Sequence, residues 1–145
     1  MSQFSHRLEV RFRDCDAMGH TNNAVYLTYL EQARFAHWRS LWGFGNPPAP
    51  SGVEGQTPPQ LPGVILARIE ADYKRPSRYG DTLEVRLTVA DIGRTSFRYE
   101  YDVVDEQGRT VLTAKSVQVM YDYATSRPVP IPDSIRALLV PGSRS

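Results

Sequence analysis

The sequence predicts an α+β fold: one antiparallel sheet of about five strands covered by a single long helix. Three observations carry this. One alternating segment opens the chain, and one long segment with helical spacing follows. The remainder is a run of alternating segments joined by short polar turns. Those connections are too short for crossover helices, so neighbouring strands pair antiparallel. A single sheet has one face to bury, and the helix is the element that can cover it.

Leu8, Val10 and Phe12 alternate with Arg7, Glu9 and Arg11, the period of a half-buried strand. Polar residues and a glycine fill Arg13 to Asn23. From Ala24 to about Trp42 the chain reads as helix, because Tyr26, Leu30, Ala33, His37 and Leu41 share one helical face. Asn22 or Asn23 serves as N-cap and Gly43 as the stop. Val25, Leu27, Phe35, Trp38 and Trp42 lie off that face, so the helix is expected to be buried on most sides. Gly45 to Gly63 is rich in Pro and Gly and is expected to form a loop.

Ile65, Ala67, Ile69, Ala71 and Tyr73 then alternate with Leu66, Arg68, Glu70 and Asp72. Leu83, Val85, Leu87 and Val89 alternate with charged and polar partners, as do Phe97, Tyr99, Tyr101 and Val103. Val111 to Tyr123 is a longer, less regular strand. Arg78–Asp81, Asp91–Arg94 and Asp105–Gly108 supply the turns. Pro132 to Val140 is expected to form a short terminal helix. No internal repeat or low-complexity segment interrupts this order, which predicts one domain over 1–145.

Seventeen basic against sixteen acidic residues leave a formal charge of +1. That balance argues against an electrostatic grip on nucleic acid or anionic lipid. The lone cysteine, Cys15, has no internal disulfide partner, which fits a reducing compartment. Met1 to His6 lacks the apolar stretch of a signal peptide, and no apolar run approaches the roughly 20 residues of a membrane helix. A cytoplasmic protein without a membrane span is expected.

Asp14-Cys15-Asp16-Ala17-Met18-Gly19-His20-Thr21-Asn22-Asn23 concentrates polar and reactive side chains just before a helix start. Unpaired N–H groups and a partial positive charge sit at such an end and suit a developing oxyanion. A carboxylate there can act as nucleophile or as general base. The same residues also serve as turn formers and caps. On the residues alone the turn reading is favoured.

This segment, with the strand before it and Glu31-Gln32-Ala33-Arg34 after it, resembles the 4-hydroxybenzoyl-CoA thioesterase family of hotdog-fold proteins. Asp72-Tyr73-Lys74-Arg75-Pro76, Tyr79-Gly80-Asp81, Gly93-Arg94-Thr95-Ser96-Phe97 and Arg127-Pro128-Val129-Pro130-Ile131-Pro132 are similar to it as well, in the right order along nearly the whole chain. The resemblance implies a hotdog fold and hydrolysis of an acyl-CoA or acyl-carrier-protein thioester to acid and thiol. It implies Asp16 as the catalytic carboxylate and the backbone N–H of Asn23 as the oxyanion donor. Gly19-His20-Thr21-Asn22-Asn23 also resembles a motif of the plant acyl-carrier-protein thioesterases. Asp16 and His20 match their Asp and His, while Met18 stands where they have Asn. That tilts the expectation toward fatty-acyl groups and adds His20 to the candidate site.

Other residues take lesser parts. His20 reads equally as a proton carrier and as a structural hydrogen-bonder. Glu31 is expected to pair with Arg34 or Arg68, Cys15 to be a buried inert thiol, and His37 to be a packed core residue. Lys74, Arg75, Arg78, Arg94 and Arg127 are candidates for holding the phosphates of coenzyme A, which is part of the substrate. No resident cofactor is expected, and no His, Cys and carboxylate cluster has metal-ligand spacing. An apolar helix and open sheet edges ask for cover, and the family forms homodimers and often homotetramers. Two competing readings are a non-catalytic acyl-CoA-binding scaffold and a hydratase or dehydratase. The second lacks the Asn-Pro and longer spacing usual between its Asp and His.

Overall fold

A computed structural model describes residues 3–42 and 63–139. The elements run β1 (Gln3–Glu9), a 3-10 turn (Phe12–Asp14), α1 (Asn23–Trp42), β2 (Gly63–Tyr73), β3 (Thr82–Ile92), β4 (Ser96–Val104), β5 (Thr110–Asp122), a two-residue β6 (Arg127–Pro128) and a one-turn α2 (Asp133–Arg136). The strands form one antiparallel sheet of order β1-β3-β4-β5-β2, with β6 added on β5. The expected helix stop Gly43 and the expected loop lie outside the described residues as far as Gly63, which opens β2. The expected terminal helix is a single turn, shorter than the 132–140 segment suggested.

Alternation in β3 and β4 gives the sheet its buried face. Leu83, Val85, Leu87 and Val89 are buried, as are Phe97, Tyr99, Tyr101 and Val103. The register stacks Leu87, Tyr101 and Ala114 into one cross-strand row and Val89, Tyr99 and Ser116 into the next. α1 lies on this face and buries Tyr26, Tyr29, Leu30, Ala33, Arg34, His37 and Trp38. The helix is less enclosed than expected: Leu27 and Phe35 are each 37% exposed, because the sheet covers one side of it.

Two strand readings are corrected. β1 ends at Glu9, and Phe12, expected to continue the apolar row, is 79% exposed on the 3-10 turn. The turn wins because the Asp14 carboxylate captures the Arg11 backbone N–H at 3.0 Å. β2 carries a bulge, its register against β5 shifting between Leu66 and Arg68. One extra residue exchanges the faces, so Val64, Ile69 and Ala71 pack on the core while Ile65 does not.

Three polar side chains of α1 go under the helix and meet β4. The Trp38 indole N–H donates to the Tyr99 oxygen at 2.9 Å, and that oxygen lies 2.7 Å from Nδ1 of His37, so the tautomer with its proton on Nε2 gives the Tyr99 hydroxyl an acceptor. Arg34, expected near Glu31, is buried instead and donates to the Tyr101 hydroxyl at 3.2 Å. Glu31 is exposed. Tyr101 shares a 2.6 Å hydrogen bond with Ser116, which also receives the Gln118 amide. Gln118 Oε1 is buried with no partner among the described residues.

His37 is the packed core histidine expected, and its burial pushes it down to about 4. The neutral ring is the one that can accept from Tyr99. Between the ordinary 6.5 and about 4, the unfolded chain binds a proton at His37 that the folded chain refuses. Stability is therefore full above pH 6.5 and falls as pH drops toward 4, by up to about 3 kcal/mol at the lower limit. Urea denaturation at pH 7 and pH 5 checks this, and His37→Gln flattens the dependence.

Candidate active site

Val10 ends the opening strand segment by pairing with the turn before β3: its N–H binds the Asp81 carbonyl at 2.8 Å and its carbonyl receives the Gly80 N–H at 3.0 Å. The chain then coils through Phe12–Asp14, and the two aspartates that follow part company. Asp14 is 3% exposed. Its carboxylate accepts the Arg11 backbone N–H and guanidinium, each at 3.0 Å, and the Tyr29 hydroxyl at 2.7 Å. Burial pushes the Asp14 carboxyl up, but the hydrogen bonds from Arg11 and Tyr29 outweigh it and hold the group below the ordinary carboxylate range. Burial, with the Asp14 bond added, pushes the Tyr29 phenol well above its ordinary range.

Asp16 faces outward from a small closed loop. A bridge between Cys15 and Thr21 closes the loop. The Asp16 N–H binds the His20 carbonyl at 2.9 Å, and the Gly19 N–H binds the Asp16 carbonyl at 3.0 Å. Gly19 sits at φ +80°, in the left-handed region where a side chain is strained. Oδ1 of Asp16 accepts the Met18 N–H at 2.9 Å, which fixes the carboxylate as an Asx turn does. Oδ2 takes no hydrogen bond among the described residues. Cys15 is half-buried, its Sγ 3.8 Å from the Arg11 carbonyl oxygen.

The helix start follows at once. The Asn22 N–H binds the Asp14 carbonyl at 2.9 Å, and the Asn22 side chain accepts the Ala24 N–H at 2.9 Å as the N-cap. The N–H of Asn23 meets no acceptor among the described residues. Its carbonyl accepts the Tyr73 hydroxyl at 3.0 Å, which links the first helical turn to the end of β2.

Asp16, His20, Asn23 and Arg75 line one cavity of about 340 Å³, together with Tyr73 and Lys74. A carboxylate with an open oxygen, an imidazole and a free helix N–H thus share a space with two cations. Such a set can attack a carbonyl or activate water, hold an oxyanion and bind an anionic carrier. Arg78 lies just outside, its N–H on the Asp81 carboxylate at 2.9 Å. Arg94 and Arg127 are elsewhere, at the far end of the sheet by the β3–β4 turn and β6.

Sequence reasoning missed Ser77, which is 1% exposed and bonded to Thr21 and Tyr26. Nothing in a single sequence announces a contact across 56 positions. Tyr73 was placed on a strand without its tie to Asn23. Among the described residues no group of three or more His, Cys, Asp and Glu is placed to hold a metal ion, and no helix is long and apolar enough to cross a membrane.

The sheet order and single covering helix are those of a hotdog fold, and the chain belongs to the thioesterase-like superfamily, whose model matches residues 10–139. It is a thioester hydrolase. A thioesterase of Thermus thermophilus solved with coenzyme A and zinc superposes with a TM-score of 0.73 at 33% identity, covering 93% of this chain and 95% of that one. The 1,4-dihydroxy-2-naphthoyl-CoA hydrolase of Synechococcus elongatus is 27% identical over 94% of each chain. A chloroplastic acyl-acyl carrier protein thioesterase of Arabidopsis thaliana is 27% identical over 97% of this chain and 70% of its own.

The two aspartates are separable by experiment. Asp14→Asn removes a buried charge and lowers stability by about 2 kcal/mol, the exposed side of Arg11 limiting the loss. Asp16→Asn keeps the Met18 hydrogen bond and shifts stability by less than about 0.5 kcal/mol. Thermal melts of the two variants beside the wild type check the contrast.

Proposed function

We propose that the protein hydrolyses an acyl-CoA or acyl-carrier-protein thioester with Asp16 as the reacting carboxylate. The observation that carries this is the shared cavity: Asp16, the unpaired N–H of Asn23 and the cations Lys74 and Arg75 line one space. Asp16 attacks the thioester carbonyl or draws a proton from an attacking water. Negative charge building on the carbonyl oxygen is met by the Asn23 N–H at the positive end of α1. Thiolate leaves, so no strong acid is required. His20 stands within the same cavity to relay a proton. Lys74 and Arg75 neutralise a phosphorylated carrier. The activities named for the Synechococcus and Arabidopsis relatives, one on a CoA thioester and one on a carrier-protein thioester, support this substrate class.

The reading includes a cytoplasmic homo-oligomer. β2 is an edge strand of eleven residues, and a second copy laid antiparallel along it covers that edge. Opposite ends of two sheets then lie side by side. That arrangement would carry Arg94 and Arg127 of one copy toward the cavity of the other.

Thiol release from a panel of acyl-CoAs tests the assignment. Asp16→Asn lowers kcat by about a hundredfold or more while the fold persists. Undiminished thiol release by the variant would overturn Asp16 as the reacting group.

A further inference from the structure

The cavity has two walls that the chain does not join locally. The loop and helix start give one, through Asp16, His20 and Asn23, with Met18, Thr21 and Tyr26 also lining it. The end of β2 and the residues after it give the other, through Tyr73, Lys74 and Arg75. The second wall is anchored in the sheet: the N–H groups of Lys74 and Arg75 both bind the Val111 carbonyl, at 2.8 and 3.1 Å. Two ties join the first wall to it: the exposed Tyr73–Asn23 hydrogen bond and a buried knot of hydrogen bonds at Ser77.

Thr21, Ser77 and Tyr26 are 3%, 1% and 3% exposed. The Thr21 N–H binds the Ser77 carbonyl at 2.8 Å. Thr21 Oγ1 lies 3.2 Å from that carbonyl and 2.6 Å from Ser77 Oγ, and the Tyr26 hydroxyl lies 2.6 Å from Ser77 Oγ. One arrangement gives every hydroxyl proton an acceptor. Tyr26 donates to Ser77 Oγ, Ser77 donates to Thr21 Oγ1, and Thr21 donates to the Ser77 carbonyl. With no proton left over, the knot fixes the rotamers of Thr21 and Ser77 and ties both to the first turn of α1.

We propose that Thr21, Ser77 and Tyr26 are positioning residues that hold the cationic wall in register with Asp16 and the helix start. A thiol carrier gripped at Lys74 and Arg75 then delivers its carbonyl to Asp16. This rests on the reading of the cavity as the thioesterase site. Its distinctive consequence is substrate-dependent. A full acyl-CoA spans both walls and depends on their spacing. The same acyl group on N-acetylcysteamine touches the first wall alone and does not.

Ser77→Ala takes the acceptor from Tyr26 and the donor from Thr21 at the member of the knot that does not line the cavity. Ser77→Thr keeps the hydroxyl. Both variants and the wild type are assayed on the two thioesters of one acyl group. The expected result is a loss of about tenfold or more in kcat/KM on acyl-CoA for Ser77→Ala, with the truncated thioester within about twofold and Ser77→Thr close to wild type on both. An equal loss on both thioesters, or no loss on either, overturns the positioning role. Should Ser77→Ala not fold, Tyr26→Phe removes one hydroxyl from the same knot and is read by the same ratio. A wild type that releases no thiol from any acyl-CoA overturns the thioester reading instead, and the positioning role with it.

Discussion

The buried carboxylate of Asp14 holds three pieces of chain together. Its side chain closes the 3-10 turn through Arg11 and reaches the second turn of α1 through Tyr29, while its own carbonyl receives the Asn22 N–H at the helix cap. A charge at 3% exposure is tolerable because donors surround it, and the same donors lose their partner if it goes. The loop bearing Asp16 is therefore suspended between two fixed points, Asp14 before it and Thr21 after it. Its freedom is further reduced by the Cys15–Thr21 bridge and the Asx turn at Asp16. The result is a carboxylate exposed to solvent yet rigidly placed, which a surface loop of ordinary polar residues would not provide.

Much of the fold was readable because period-2 alternation is strong where strands are regular. β3 follows it from Leu83 to Val89 and β4 from Phe97 to Val103. It fails where the backbone departs from regular pleating. In β2 the bulge at Leu66/Arg68 exchanges the faces within one strand, and composition leaves no mark of it. At Asp14 and Asp16 the failure matters more. Residues two apart on a strand share a face, so pattern reasoning sets the two carboxylates in like surroundings. The 3-10 turn rotates one inward and leaves the other out. The resemblance to a family, rather than any periodicity, singled out Asp16. Ser77 was illegible for a different reason: its role is a contact between distant segments, and a serine after a proline reads as a turn residue.

The core beneath α1 is more polar than its position suggests. Arg34, His37 and Trp38 all point toward the sheet, and tyrosines on β4 answer each of them. A phenol brings a large apolar ring and one hydrogen-bonding group, so it fills space against the helix while receiving a donor or supplying a proton. Such matched pairs give the helix a preferred rotation about its axis that apolar packing alone leaves loose. That rotation governs where the first turn of α1, and with it Asn23, faces.

The bulge in β2 has a consequence for assembly. A regular strand slipped by two residues still presents the same face and can pair almost as well, so a plain edge tolerates several alignments. β2 changes face partway along, at Leu66/Arg68. A neighbour shifted along it would match the pattern on one side of the bulge and contradict it on the other. The irregularity would work as a notch in a key, leaving a single alignment to the second copy proposed to join this edge.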